Sequence, residues 1–110
     1  MQEKLLPEEL RAELPKLYAQ ETVDTEEKQV YLKFFFPAGN WTWFVTEGEP
    51  EGDDFVFFGF VIGDFDEWGY FTLNELESIN AVGLMVERDL HFKPGKFSDV
   101  VAQFRRERGQ

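Results

Sequence analysis

The sequence predicts an α+β fold: an antiparallel-dominated sheet of about five strands with three short helices, one N-terminal, one between the fourth and fifth strands, and one C-terminal. Three observations predict it. Short segments rich in aromatic and β-branched residues are separated by Gly, Pro and Asn turns, which is typical of hairpins. Helix-start signals open three other segments. The 110 residues include 13 Phe, 3 Trp and 3 Tyr, so residues 1–110 can bury one core as a single domain.

The N-terminal segment predicts a short helix over residues 7–14. Pro7 suits the first helical position, and Pro15 ends the helix because its ring is incompatible with a helix interior. The polar stretch 19–28 that follows predicts a linker.

Four strands are predicted next, over residues 29–36, 41–49, 55–63 and 68–72. The third is apolar on both faces, as a central strand is. Alternation in the second strand places Trp41, Trp43 and Val45 on one face. The two indole rings are interpreted either as core packing, which the burial of aromatics favours, or as a stacking platform for bases or sugars. The absence of neighbouring Lys or Arg weakens the nucleobase version.

The C-terminal third of the chain predicts two helices around a strand. Thr72 and Glu75 fit a capping box at the start of the first of these helices. Residues 84–92 predict the fifth strand, and residues 98–108 predict the last helix, with Ser98 as its N-cap.

The formal net charge is −11, and it is unevenly distributed. Between residues 34 and 87 there is no Lys or Arg, whereas the C-terminal segment is basic. Because Lys and Arg provide the affinity for nucleic-acid phosphates, direct nucleic-acid binding is disfavoured. The charge favours attraction to a basic protein surface instead.

The candidate partner-binding residues are acids in two predicted turn regions: Glu47, Glu49, Glu51, Asp53, Asp54, Asp64, Asp66 and Glu67. Their predicted partner is a basic protein surface, specifically that of a DNA-handling protein whose nucleic-acid site the acids would imitate. The competing interpretation is that these acids only keep an aromatic-rich domain soluble and protect its hairpin edges from aggregation.

A second candidate site lies in the predicted fifth strand. On a strand, Glu87, Asp89 and His91 project from one face at a spacing that suits a shared cation. The alternative function is therefore a metal- or small-ligand-dependent site, with hydrolysis as its chemistry. A solvated polar face explains the same pattern, because a metal site also needs ordered groups behind its ligands.

Alternation places Arg88 on the apolar face of that strand, where an uncompensated guanidinium is costly. We expect it to form a structural ion pair with a carboxylate, for which Glu67 and Glu75 are candidates, or to lie at the rim of the sheet. A clamp for the carboxylate of a ligand is the sharper alternative.

Signatures of catalysis are absent from the sequence. There is no GxGxxG, GxxxxGK[ST], HExxH or GxSxG motif, and the serines at 78 and 98 suit helix positions. Whether the protein is an enzyme stays open, and the pattern favours a binding protein. No cofactor is predicted.

Composition also predicts where the protein acts. Cysteine is absent, the N-terminus lacks the pattern of a signal peptide, and the longest apolar run, residues 55–63, is about half the ~20 residues of a membrane helix. We therefore expect a cytoplasmic protein without membrane contact. Sheet-edge pairing through residues 55–60 or 31–36 would make it a weak homo-oligomer rather than a monomer.

Four segments of the sequence resemble one small bacterial family: LKFFFPAGNWTWFVTE, FFGFVIG, EWGYFTLNELESI and GLMVERDLHF. The resemblance covers about residues 5–100, and GYFTLNEL and ERDLHF are its most specific parts. The family pattern of Thr-Trp followed by an acid matches Thr42, Trp43 and Glu47, whereas Trp68 replaces an expected Leu. The family is a domain of unknown function that recurs on plasmids and other mobile elements. The resemblance therefore implies a genomic setting, in which small acidic proteins often counter host defence, and no established activity.

Overall fold

The structure, a computed structural model, describes residues 4–109. Its elements in chain order are α1 (Glu8–Glu13), a 3-10 turn (Thr25–Glu27), β1 (Gln29–Val30), β2 (Leu32–Phe35), β3 (Thr42–Glu51), β4 (Asp54–Ile62), β5 (Asp66–Thr72), α2 (Leu73–Ser78), β6 (Asn80–Ala81), β7 (Leu84–Met85), β8 (Glu87–Arg88), β9 (Gly95–Lys96) and α3 (Phe97–Glu107). A five-stranded antiparallel sheet has the order β5-β4-β3-β2-β8, and β1–β9 and β6–β7 form two-stranded pairs. The predicted α+β class and its three helices are confirmed.

Helices and the N-terminal segment cover the two faces of the sheet. Consecutive residues of β3 point to opposite faces. Val45 belongs to a buried cluster with Leu6 and with Leu76 of α2. Phe44 belongs to the other cluster, in which its ring meets that of Phe104 in α3 edge-on, with centroids 5.4 Å apart. Full burial of one such side chain stabilises the fold by about 1.5–3 kcal/mol, so both layers hold the sheet.

The predicted start of α2 is confirmed. The hydroxyl of Thr72 accepts the backbone N–H of Glu75 at 3.1 Å, as an N-cap does. A second acceptor for this helix start comes from the beginning of β4, where Asp54 Oδ1 accepts the N–H of Asn74 at 3.0 Å. The longest helix, α3, has 11 residues, and no helix in the described chain has the length and apolarity to cross a membrane.

The segment 84–92 is not one continuous strand, contrary to the prediction. β7 pairs with β6, β8 pairs with β2, and the chain then turns. The turn forms because Asp89 Oδ1 accepts the N–H of His91 at 2.9 Å, while the Asp89 carbonyl accepts the N–H of Phe92 at 3.3 Å. A short polar side chain thus replaces strand pairing with a local turn.

The prediction that Ser98 caps the last helix is wrong. α3 begins at Phe97, and its N-cap is Lys96, which makes no side-chain capping bond. The Phe97 N–H donates to the Lys28 carbonyl at 2.8 Å, and its ring packs on Trp68 with centroids 4.8 Å apart. These tertiary contacts fix the helix start, so Ser98 lies inside the first turn.

The two segments predicted for edge pairing are internal strands. Residues 55–60 lie in β4, between β3 and β5, and residues 32–35 form β2, between β3 and β8. Among residues 4–109, β5 is the long strand whose outer edge has no strand beside it.

Candidate binding site

A β-bulge in β3 changes the face on which Glu47 lies. Val45 keeps the regular register with β4, but the next pair is Glu47 with Phe58, so Thr46 is an extra residue. Regular alternation would place Glu47 on the same face as Val45, among buried apolar side chains. The bulge places it beside Phe58, which in turn pairs with Tyr70 of β5.

Residues 15–20, which we call the strap, are anchored by this carboxylate. One oxygen of Glu47 accepts the backbone N–H of Tyr18, and the other accepts that of Gln20, both at 2.8 Å. Glu47 is only 4% exposed. Hydrogen bonds from backbone N–H groups to the charged form are what makes burial of a carboxylate tolerable.

Two further contacts fasten the strap to β3 beyond the bulge. The Gly48 N–H donates to the Pro15 carbonyl at 2.9 Å, and Glu49 Oε1 accepts the Leu17 N–H at 3.0 Å. The strap thus covers part of β3 that β2, ending its pairing at Val45, leaves open. It satisfies backbone groups that would otherwise lack a partner.

The side-chain amide of Gln20 links the strap to two strands. Its Nε2 donates to the carbonyls of Thr46 at 2.8 Å and Gln29 at 3.0 Å, and its Oε1 accepts the Gln29 N–H at 2.7 Å. The Lys28 ammonium donates to the carbonyl of Gln20 itself. The stretch 19–28, predicted as a polar linker, therefore carries a buried structural residue.

Between the strap and the sheet lies a pocket of about 290 Å³, which we call the aromatic pocket. Its lining residues are Tyr18, Glu21, Thr25, Lys28, Glu47, Phe58, Trp68 and Tyr70. The rings of Phe58 and Trp68 are stacked with centroids 5.7 Å apart, and Phe58 and Tyr70 are 5.0 Å apart. Three strands and the strap therefore bring aromatic faces and a buried carboxylate together.

The pKa of Tyr70 reports the electrostatic environment of this pocket. The pKa of Tyr70 is raised from 10.0 to about 12, first by a hydrogen bond with the Tyr18 side chain, then by burial and by the negative charges of Glu47 and Glu21. The surroundings therefore oppose a negative charge at the Tyr70 hydroxyl.

The backbone of Tyr18 is strained. Its φ of 71° lies in the left-handed region, which is uncommon for residues other than glycine. Such a conformation costs on the order of 1–3 kcal/mol and persists where the surroundings enforce it. The bonds from Glu47 to Tyr18 and to Gln20 on either side of this turn provide that enforcement.

A family model described as a protein of unknown function (DUF2958) matches residues 5–110. The chain belongs to this family. The predicted membership in a small family of unknown function is thereby confirmed. No curated protein and no solved structure matches the chain.

In this DUF2958 domain, most of the predicted partner-binding acids fall into two groups. The hairpin tip, residues 49–54, comprises the end of β3, the turn and the start of β4, and it carries Glu49, Glu51, Asp53 and Asp54. The β4–β5 turn region carries Asp64, Asp66 and Glu67. β4 has 9 residues and a strand rises about 3.3 Å per residue, so the turns at its two ends lie roughly 30 Å apart. The acids are therefore divided between two ends of the sheet.

Glu47, predicted as part of the acidic surface, is buried and must be removed from it. The bulge and the strap explain its position. Within the hairpin tip, Asp54 is also engaged: its Oδ1 accepts the N–H groups of Phe55 at 2.7 Å and Asn74 at 3.0 Å. Burial opposes ionisation of Asp54, but these two bonds and one from Thr72 outweigh it, and its pKa is lowered from 3.8.

Arg88 does not form the predicted ion pair with Glu67 or Glu75 within the described residues. Its Nε donates to the Leu5 carbonyl at 3.2 Å, and β8 lies at the edge of the sheet. Arg88 therefore lies at the rim of the sheet, which was the alternative prediction. The Leu5 carbonyl, and not a carboxylate, accepts its hydrogen bond.

The second candidate site is not assembled. Asp89 pairs with Lys33 at 3.3 Å and closes its own turn, and both Glu87 and His91 are exposed. Across residues 4–109, no group of three or more Asp, Glu, His or Cys side chains is arranged to hold a metal ion. The alternation that predicted one face fails because the strand ends at Arg88.

The two indoles on β3 differ in exposure. Trp43 is buried in the core, whereas Trp41 is 39% exposed and lies stacked against it, with centroids 6.0 Å apart. A Cβ on Gly63 would lie 2.6 Å from the Trp41 ring, so the indole packs on the glycine. Core packing accounts for Trp43, and Trp41 forms its outer layer.

Sequence reasoning missed the aromatic pocket, although one signal for it was present. Continuing the alternation from Trp43 and Val45 places Glu47 on the apolar face. A carboxylate at such a position conflicts with burial and indicates either a bulge or a dedicated set of donors. No comparable signal marks Gln20 or Tyr18, because their bonds to β3 join residues that lie 26 or more positions apart along the chain.

Proposed function

We propose that the protein is a binding module that docks the acidic hairpin tip, residues 49–54, on a basic protein surface. One observation carries the proposal. Within residues 4–109, no carboxylate of the hairpin tip has an ion-pair partner, whereas Asp66 in the opposite group is bonded to Arg105 of α3 at 3.3 Å. Glu49 and Asp54 accept backbone N–H groups, so Glu51 and Asp53 carry the exposed charge of the tip.

The physical consequence is electrostatic steering. Uncompensated charges of one sign at a protruding hairpin accelerate association with a surface of opposite sign, by roughly 10- to 1000-fold at low ionic strength. Exposed charges further apart than about 10 Å are largely screened at 0.1 M salt. Binding should therefore be fast and should weaken as salt is added.

The proposed target is a DNA-handling protein, whose nucleic-acid site is basic. The acids of the hairpin tip would occupy positions that phosphates take in its normal ligand. The setting on mobile elements that the sequence resemblance implies supports this choice, because such elements would benefit from blocking host proteins that act on DNA. Duplex DNA should then compete with the protein for the same site.

The test compares two variants with equal loss of charge. Glu51→Gln with Asp53→Asn neutralises exposed acids of the hairpin tip, and Asp64→Asn with Glu67→Gln neutralises exposed acids of the β4–β5 turn. A protein captured from a bacterial lysate by the wild type would be purified, and its association rate with each variant measured at low and moderate salt.

We expect the tip variant to lose about tenfold or more in association rate, the turn variant to bind nearly as the wild type does, and duplex DNA to displace the partner. Equal losses in the two variants would indicate non-specific charge attraction and contradict the proposal. Unchanged binding by the tip variant would contradict it as well.

A further inference from the structure

We infer that the aromatic pocket is a receptor for the guanidinium group of an arginine side chain on the docked partner. The inference rests on the proposed function, since it names the group by which a basic surface would be anchored. It concerns a different part of the molecule from the hairpin tip, namely the face between the strap and β5.

The rings supply the first half of the recognition. Phe58, Trp68 and Tyr70 lie on one face of β4 and β5, and Tyr18 stands opposite them on the strap. A cation over the face of Trp or Tyr is attracted by the ring quadrupole, and several such faces around one pocket are the usual arrangement for binding organic cations. Tyr18 and Tyr70 remain 62% and 53% exposed, so a partner can reach them.

Glu47 supplies the second half. It lines the pocket and is nearly fully buried, and each of its oxygens has accepted one backbone N–H. A carboxylate has about four lone-pair positions, so the two oxygens retain acceptor capacity. Without the bulge at Thr46 this carboxylate would lie on the opposite face of the sheet.

The charge of the pocket favours a cationic occupant. Its ionic lining residues are Glu21, Glu47 and Lys28, and the Lys28 ammonium is directed to the carbonyl of Gln20. The raised pKa of Tyr70 comes first from its hydrogen bond with Tyr18 and from burial, and the negative charges of Glu47 and Glu21 add to it. The same two charges would attract a cation in the pocket.

The geometry favours arginine over lysine. A guanidinium is planar, stacks on aromatic faces and presents parallel N–H donors to a carboxylate, whereas an ammonium is a compact and strongly hydrated charge. The stacked rings of Phe58 and Trp68 beside the buried carboxylate of Glu47 suit a guanidinium.

The experiment uses three short peptides that are otherwise uncharged and differ at one position: arginine, lysine, or citrulline, which has the shape of arginine without its charge. Binding to the full chain is measured from NMR shifts of the Trp68 indole N–H and the Tyr70 ring. Tyr70→Leu removes a ring, and Glu21→Gln removes a rim charge. Phe65→Leu removes an aromatic ring that is 80% exposed and outside the pocket, as the matched control.

We expect the arginine peptide to bind with shifts confined to the pocket, and Tyr70→Leu to weaken it about 3- to 30-fold. Glu21→Gln should weaken it less, and Phe65→Leu should leave it unchanged. Equal binding of the lysine peptide would overturn the guanidinium assignment, and equal binding of the citrulline peptide would overturn the cation site altogether.

The two experiments distinguish failure of the arginine-receptor inference from failure of the docking proposal. If the arginine peptide does not bind but the tip variant still loses its protein partner, the inference is overturned and the docking proposal stands. If the peptide binds and the tip variant retains its partner, the pocket is supported while the hairpin tip is not the docking surface.

Discussion

Glu47 and Tyr18 are joined by a 2.8 Å hydrogen bond from the Tyr18 backbone N–H to the Glu47 carboxylate, and Tyr18 is the strap residue with a φ of 71°. The bond links a bulged strand to a strained turn 29 residues earlier in the chain. It positions the Tyr18 ring opposite Tyr70 and so forms one wall of the aromatic pocket. The strap, the bulge and the pocket are therefore one structural unit.

The first prediction concerns Glu47→Gln. Two backbone N–H groups need two acceptors, and an amide offers only one oxygen, so its NH₂ group would face the second donor. We expect the free energy of unfolding to fall by about 1.5–3 kcal/mol, the value of a hydrogen bond to a charged group. Urea denaturation measures it, with Glu51→Gln as the exposed control. A loss no larger than that of the control would show that Glu47 does not anchor the strap.

The second prediction compares two glycines that face each other in β4 and β5. A Cβ on Gly59 would lie 1.9 Å from the carbonyl oxygen of Phe44, whereas a Cβ on Gly69 meets nothing within 4 Å. Gly59→Ala should destabilise the fold by about 3 kcal/mol or more, since backbone atoms cannot move aside as side chains do. Gly69→Ala should be neutral or slightly stabilising. Thermal melting of both variants measures the difference. Similar melting temperatures would contradict the pairing of β4 with β3 that places Gly59 against Phe44.

The main sheet and the start of α2 could be predicted because their causes are local. Alternation and turn residues define β3, β4 and β5, and the Thr72–Glu75 cap is encoded within four residues. Pro15 also ended the first helix where expected, since α1 reaches only Glu13. Each of these features depends on side chains that are near one another in sequence.

The aromatic pocket could not be predicted because its causes are distant in sequence. A bulge shifts the alternation of β3 by one residue, which reverses the face of Glu47 and of every residue after it. The start of α3 at Phe97 depends on Lys28 and Trp68, and the break after Arg88 depends on the turn at Asp89. Tertiary contacts override the local pattern at these positions.

The third prediction concerns acid stability. The folded-state pKa of Asp54 is lowered, although burial opposes ionisation, because N–H groups of Asn74 and Phe55 donate to its carboxylate. The stability that Asp54 contributes is therefore fully present at pH values above the unfolded pKa of 3.8, and it is lost as the pH falls through the lowered folded-state pKa. The Asp54→Ala variant should have a lower melting temperature than the wild type at neutral pH, and this difference should disappear in strong acid. A difference that is constant with pH would contradict this role.

The fourth prediction concerns alkaline pH. The pKa of Tyr70 is raised to about 12, first by the hydrogen bond with Tyr18. The protonated Tyr70 hydroxyl therefore contributes stability that is fully present at pH values below the unfolded pKa of 10.0. This stability is lost as the pH rises through the folded-state pKa of about 12. Ultraviolet titration of tyrosinate should show a late-titrating group that disappears in Tyr70→Phe and shifts toward 10.0 in Tyr18→Phe. An unchanged titration in Tyr18→Phe would contradict the hydrogen bond between the two side chains.

An NMR titration of the ¹⁵N-labelled protein with an arginine-rich peptide at low salt tests the docking surface and the aromatic pocket together. We expect shifts to concentrate at the hairpin tip and the aromatic pocket, at residues such as Glu51, Asp53 and Tyr70, while Asp64 and Glu67 respond little. Shifts spread evenly over both acidic groups, or concentrated at the β4–β5 turn, would contradict this expectation.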